Sequence, residues 1–144
     1  MAKVLSINIS EEKGVPKKEI EKGYFQVNHG LVGDAHAGEW HRQVSLLGIE
    51  SVDKVKAMGL PDLEMGSFAE NITTEGIILY ELPIGTKLQV GETTMEVTQI
   101  GKECHHGCAI RQKTGDCVMP REGIFTKVLT PGWVKPGDSI EVIS

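Results

Sequence analysis

The chain reads as a mainly β domain, a small β-barrel with one or two short helices. Three observations predict this. Apolar residues alternate with period two along several short segments, the first being Lys3–Ile9. Turn residues are frequent, with 17 glycines and 6 prolines in 144 residues, and many of them separate those segments. Only one stretch carries a helical period. Many short strands joined by tight turns are the pattern of a small closed all-β architecture.

The elements follow in order. Lys3–Ile9 puts Leu5, Ile7 and Ile9 on one face and Val4, Ser6 and Asn8 on the other, as a strand does. Glu11–Lys22 is charged and holds Gly14 and Pro16, so it reads as a solvated loop, with a strand resuming at Tyr24–Val27. Val44–Leu47 is a short apolar strand. Ile49–Met58 is the helix: Ile49, Val52, Val55 and Met58 recur every three residues, Gly59 suits the position after its end, and Pro61 blocks resumption. Phe68 and Ile72 read as core anchors, and Asn71 leads the β-branched run Ile72-Thr73-Thr74. Glu70 and Asn71 either orient a ligand or cap a turn. Lys87–Val90 and Thr94–Ile100 are strands joined through Gly91-Glu92, a pair suited to a two-residue hairpin. Ile124–Leu129 is a further strand, Pro131-Gly132 and Pro136-Gly137-Asp138 are turns, and Ser139–Ile143 closes the chain as a strand. The expected organisation is a single domain over residues 1–144, a length that can bury a proper core.

Composition narrows the function. The formal net charge is −5, which argues against nucleic acid as a partner, since phosphate backbones call for a basic surface. No apolar run approaches a membrane span, and the first residues lack the apolar core of a signal peptide. A cytoplasmic location is the expectation. In a reducing compartment three clustered cysteines are thiols or metal ligands before they are a disulfide framework.

Two stretches carry candidate chemistry. Gly30–Gly38 has Gly30, Gly33 and Gly38, which permit positive φ and close backbone approach. Asp34 and His36 share a face if the segment is extended, and His41 and Arg42 follow as an anion-binding edge. The same residue types also build ordinary turns. The second stretch is Gly101–Phe125. It holds all the cysteines, Cys104, Cys108 and Cys117, with His105, His106, Lys102, Arg111, Lys113 and Arg121. It follows the end of a predicted strand, where a rigid scaffold presents functional groups. Two chemistries are open there. Cysteine and histidine can make a tetrahedral zinc site, although C-x3-C-x8-C lacks the usual paired knuckles. Alternatively, the surrounding cations lower a cysteine pKa below the free value of about 8.5 and keep a nucleophilic thiolate. Plain burial of small apolar thiols is the third, structural reading.

Four motifs in order add to this. GDAHAG at Gly33–Gly38, SFAENITTEG at Ser67–Gly76, GCAI at Gly107–Ile110, and GIF followed by VKPGD at Val134–Asp138 together resemble a stand-alone MOSC domain. That module also forms the C-terminus of molybdenum-cofactor sulfurases and occurs in mitochondrial amidoxime-reducing components. The resemblance runs from about Lys3 to Val142. It implies a MOSC-type, pyruvate-kinase-like β-barrel. It implies a molybdenum-cofactor-binding or sulfur-carrier role, in which a reactive cysteine holds persulfide sulfur or ligates molybdenum for cofactor sulfuration or delivery. Cys108, in GCAI, matches the family's cysteine as nucleophile and metal ligand, with Cys117 as the second choice. Cys104 has no counterpart. Asp34, His36, His41, Arg42, Asn71, Arg111 and Arg121 are the expected contacts to molybdopterin, whose phosphate wants guanidinium and backbone N–H donors. The implied partners are a cysteine desulfurase and a molybdenum enzyme or cofactor-synthesis protein. The chain lacks the fused aminotransferase-like domain, so it would act as a sulfurtransferase-type carrier with a separate desulfurase. The alternative is a small zinc-binding structural or interaction module using the same cysteines and histidines.

Overall fold

A computed structural model describes residues 2–12, 17–57, 65, 66, 68, 70–101 and 122–143. The architecture is mainly β, as expected. The strands are β1 (Lys3–Ile9), β2 (Lys18–Ile20), β3 (Gly23–Gln26), β4 (Gly30–Leu31), β5 (Val44–Gly48), β6 (Ile72–Glu75), β7 (Lys87–Val90), β8 (Thr93–Ile100), β9 (Ile124–Thr130), β10 (Gly132–Val134) and β11 (Ile140–Val142). Helix α1 spans Ile49–Lys56, and a 3-10 turn covers Leu79–Glu81.

Eight strands form one sheet in the order β11-β7-β8-β9-β5-β6-β1-β2, and β10-β3-β4 form a second. The expected barrel is not closed by a continuous ladder. Strand β1 and the residue just before β11 are joined by an isolated bridge, Lys3 to Ser139, with Val4 N–H donating to Asp138 O at 2.8 Å and Gly137 N–H to Val4 O at 2.7 Å. Pro136 and Gly137 turn the chain there, and Pro136 has no N–H to extend a ladder.

The core follows from the alternation with one exception. Val4 and Ile7 are both buried although three residues apart, because a bulge between Val4 and Ser6 against β6 shifts the register. Strand β5 is buried along its whole length between β6 and β9, and its one polar side chain, Ser45, is bonded to Asn71. Phe68 and Ile72 are buried as expected. The helix packs on β5 and β6 with Val52 inward, Glu50 in its first turn, and Lys54 and Lys56 in its last, which matches the helix dipole. Its expected end at Met58 and Gly59 lies outside the described residues.

Two expectations are corrected. Part of the charged run read as loop is β2, which pairs with β1 through Ile7–Ile20 and Ile9–Lys18 and extends the sheet. Gly132, read as a turn, starts β10, which pairs with β3 and sets Trp133 edge-on to Tyr24, ring centroids 5.3 Å apart. The hairpin at Gly91-Glu92 holds: Gly91 has φ 56° and Glu92 has none of the positive-φ strain.

Candidate functional site

The site is built where β8 and β9 part. These strands pair from Thr94–Thr130 to Ile100–Ile124, and Gly101 N–H then donates to Gly123 O at 2.6 Å. Residues 102–121 lie between these two roots. Cys104, Cys108, Cys117, Arg111 and Arg121 therefore lie outside the described residues. The roots themselves are defined, and a second segment is fastened to them.

That segment is the arm from Val32 to Gln43. Its start depends on Gly30, at φ 106°, where an added β-carbon would lie 2.5 Å from Gln43 O. Only glycine lets the backbone pass so close. The arm reaches the roots through Trp40, His41 and Arg42. The Arg42 Nε–H donates to Gln99 Oε1 at 3.1 Å, and its guanidinium lies 5.3 Å from the Phe125 ring centroid and 5.9 Å from that of Trp40. His41 Nε2 is 2.9 Å from the same Gln99 oxygen, while Gln99 Nε2 donates to Gly101 O at 2.7 Å. Thr98 Oγ1 lies within hydrogen-bond reach of both His41 O and Phe125 O, and its single proton is shared between them.

The chemistry of these partners fixes the orientation of Gln99. Arg42 Nε can only donate and Gly101 C=O can only accept, so the amide oxygen faces Arg42 and its nitrogen faces Gly101. His41 Nε2 must then carry a proton. The terminal guanidinium nitrogens of Arg42 have no partner among the described residues.

At its other end the arm is locked by a buried ion pair. Lys17 Nζ lies 2.7 Å from Asp34 Oδ1, and neither side chain is exposed. Asp34 also accepts from Ser10 N–H at 3.2 Å and, through Oδ2, from His36 N–H at 3.1 Å. Burial pushes the Asp34 carboxyl up, but hydrogen bonds from Lys17 and Asn71, the Lys17 charge and the Ser10 N–H outweigh it and hold the group below its ordinary value. Lys17 Nζ is also 3.0 Å from His36 Nδ1. An ammonium has only donors, so Nδ1 accepts and the ring proton sits on Nε2. Asp34 and His36 are thus brought together by a turn and a buried lysine, not by an extended segment.

Asn71 lies behind this cluster. Its Oδ1 accepts from Ser45 N–H at 3.0 Å and its Nδ2 donates to Asn8 O at 3.3 Å, so it ties β5 to β1. Glu70 is fully buried, with Oε2 accepting from Thr73 Oγ1 at 2.8 Å and Oε1 from Phe68 N–H at 3.2 Å. Burial pushes its carboxyl up, against the pull of these donors. Asp34, His36 and Asn71 are therefore neighbours at one end of the arm, and His41 and Arg42 are neighbours at the other.

Sequence reasoning missed Lys17 and Gln99. Lys17 sits in a charged run that looks solvated. Gln99 is one polar residue of an alternating strand, and only its place two residues before Gly101 set it apart.

The arm carries residue types that suit a flat, phosphate-bearing ligand. Arg42 offers charge-assisted donors, and Trp40, 40% exposed, offers a ring face beside it. Among the described residues no group of three or more His, Cys, Asp or Glu side chains is placed to hold a metal ion. No helix among them is long and apolar enough to cross a membrane.

Comparison with known proteins agrees with this frame. YiiM from Geobacillus stearothermophilus superposes with a TM-score of 0.75 at 16% identity, over 100% of this chain and 76% of that one. The YuaD protein from Bacillus subtilis gives 0.74 at 22% identity, over 97% and 94%. YiiM from Escherichia coli gives 0.68 at 16% identity, over 98% and 70%. These likenesses concern the fold. No curated protein matches the chain. The model of the MOSC domain matches residues 33–141, from the arm through both roots to the closing strand, and the chain belongs to the MOSC domain family.

Proposed function

We propose that this domain binds the molybdenum cofactor in its molybdopterin form and carries sulfur to it or holds its metal on a cysteine thiolate. MOSC domains are associated with this cofactor and with sulfur handling, and the chain is a member of that family. The observation that carries the reading is the clamp at Gln99. It joins the guanidinium of Arg42 to Gly101, the residue from which the cysteine stretch departs. An anion-binding group and a thiol-bearing segment thereby share one anchor.

In this reading Arg42 pairs with the phosphate and Trp40 stacks on the flat ring system. His36 and His41 border the ligand from the same arm. Lys17, Asp34 and Asn71 hold the arm in place from behind. Cys108 is the thiolate, Cys117 the second thiol, and Arg111 and Arg121 add charge from the same stretch. When bound, the cofactor supplies a metal whose soft sulfur ligation suits a thiolate. The partners are a separate cysteine desulfurase, which loads the sulfur, and a molybdenum enzyme or cofactor-synthesis protein, which receives the product. In this reading the cysteines act as free thiols, which suits a reducing compartment such as the cytoplasm.

The test is native mass spectrometry of protein made in cells competent for cofactor synthesis. The reading predicts added sulfur on a cysteine or co-purified pterin. Stoichiometric zinc that survives dialysis, with neither sulfur nor pterin, would replace it by the zinc module.

A further inference from the structure

A carboxylate beside a histidine ring commonly takes the proton of Nδ1 and leaves the Nε2 lone pair for a metal ion or a proton. Asp34 and His36 are placed for that arrangement. Asp34 Oδ2 accepts from the His36 N–H at 3.1 Å and stands 4.0 Å from His36 Nδ1. A third group reverses it.

Lys17 Nζ lies 2.7 Å from Asp34 Oδ1, 3.0 Å from His36 Nδ1 and 3.3 Å from Ser10 Oγ. An ammonium has protons to give and no lone pair. The Ser10 hydroxyl gives its own proton to Glu12 O at 2.9 Å, so towards Lys17 it accepts. Asp34 Oδ1, Ser10 Oγ and His36 Nδ1 therefore each take one lysine proton. No proton is left for the imidazole to hold at Nδ1.

The lysine is built into the fold at this place. Its backbone N–H donates to Gly66 O at 2.9 Å. Gly66 has φ 92°, and a β-carbon there would run into Lys17 O, so only glycine admits the approach. His36 is held from its other side, where its carbonyl accepts from Trp40 Nε1–H at 2.9 Å. The Lys17 and Asp34 side chains have no exposure, whereas that of His36 is 31% exposed. Of the three, only the imidazole can meet a ligand.

We propose that Lys17 is a positioning residue: it holds His36 in the Nε2–H tautomer, which closes Nε2 to metal ions and restricts it to oxygen acceptors. For the ligand this rests on the cofactor reading above, and it makes His36 a donor to an oxygen of the pterin and not a ligand of its metal. Lys17 acts only through the ring.

The test is long-range proton–nitrogen NMR of the full chain, isotope-labelled at the histidine nitrogens, with His36→Gln to assign the signals. The pH is set well above the ordinary imidazole value of about 6.5, so that the spectra read the tautomer and not the charge. Wild type should show one tautomer, with Nε2 protonated and Nδ1 bare. Lys17→Met keeps the length and removes the donors, and Nδ1 should then carry a proton, drawn there by Asp34. If that variant does not fold, Lys17→Met combined with Asp34→Asn removes both charges, and its ring should give the averaged signals of two exchanging tautomers. A protonated Nδ1 or averaged signals in wild type, or the wild-type pattern in either variant, would overturn the proposal. The measurement uses no cofactor, so its failure leaves the cofactor reading standing, and a chain without pterin or sulfur leaves the tautomer assignment untouched.

Discussion

Lys17 and Asp34 form an ion pair with neither side chain exposed, Nζ to Oδ1 at 2.7 Å. It fastens the stretch ahead of β2 to the arm that carries His36, His41 and Arg42. Burying two charges is costly, and removing one leaves the other unpaired. Lys17→Met or Asp34→Asn should each lower the unfolding free energy by about 3–5 kcal/mol. The double variant should lose much less than the sum. Urea unfolding of the four proteins measures this. Additive losses would mean that the pair is not coupled.

Asp34 and Glu70 shift in opposite directions, and their effects on stability have opposite signs. The Asp34 carboxyl is held below its ordinary value. Its contribution is present above the unfolded pKa of about 3.9 and is lost as pH falls through the lower folded value. The Glu70 carboxyl is pushed up by burial. Its contribution is present below the unfolded pKa of about 4.3 and is lost as pH rises through the folded value. Wild type should therefore lose stability on going from about pH 5 upward, and Glu70→Gln should flatten that slope. Urea midpoints at several pH values check it. An unchanged slope in Glu70→Gln would show that Glu70 is not its source.

Gln99 links Arg42, His41 and Gly101 with one amide. Gln99→Leu keeps the bulk and removes every bond. It should cost about 1–3 kcal/mol in stability, since Arg42 Nε and the Gly101 carbonyl lose their partners. Pterin phosphate binding should weaken as well, because Arg42 is no longer aimed. Unchanged affinity would separate the clamp from the ligand site.

Arg42 itself should matter for binding more than for folding. Arg42→Lys keeps the charge but loses the planar fork and the contact with Phe125 and Trp40. Isothermal titration should show a loss in cofactor affinity of about 1–3 kcal/mol for Arg42→Ala, shrinking as salt rises, and a smaller loss for Arg42→Lys that salt changes little. Unchanged affinity in both variants would place the phosphate elsewhere.

Much of the frame was legible in the sequence because local patterns agreed with the fold. Lys3–Ile9, Val44–Leu47, Lys87–Val90 and Ile124–Leu129 showed strand patterning and are strands. The misses share a cause. The bulge at Val4–Ser6, β2 and β10 are created by partners distant in sequence, and no local period announces them. Lys17 looked solvated because its charge was visible and its partner, seventeen residues on, was not. At the site, glycine chemistry pointed to the arm, and Asp34 and His36 were read as sharing a face of an extended segment, whereas a turn and Lys17 bring them together. Which atoms they present was decided by Lys17 and Gln99, and only three-dimensional contacts reveal those two.

The most direct test of the account is the cysteine that bears the chemistry. Cys108→Ser keeps the size of the side chain and removes the thiolate, and Cys117→Ser is its control. After incubation with a cysteine desulfurase and free cysteine, intact mass spectrometry should find persulfide sulfur on wild type, little loss in Cys117→Ser, and none in Cys108→Ser. Full loading of Cys108→Ser with loss in Cys117→Ser would contradict the assignment of the thiol, and full loading of both variants would contradict the sulfur-carrier role of either cysteine.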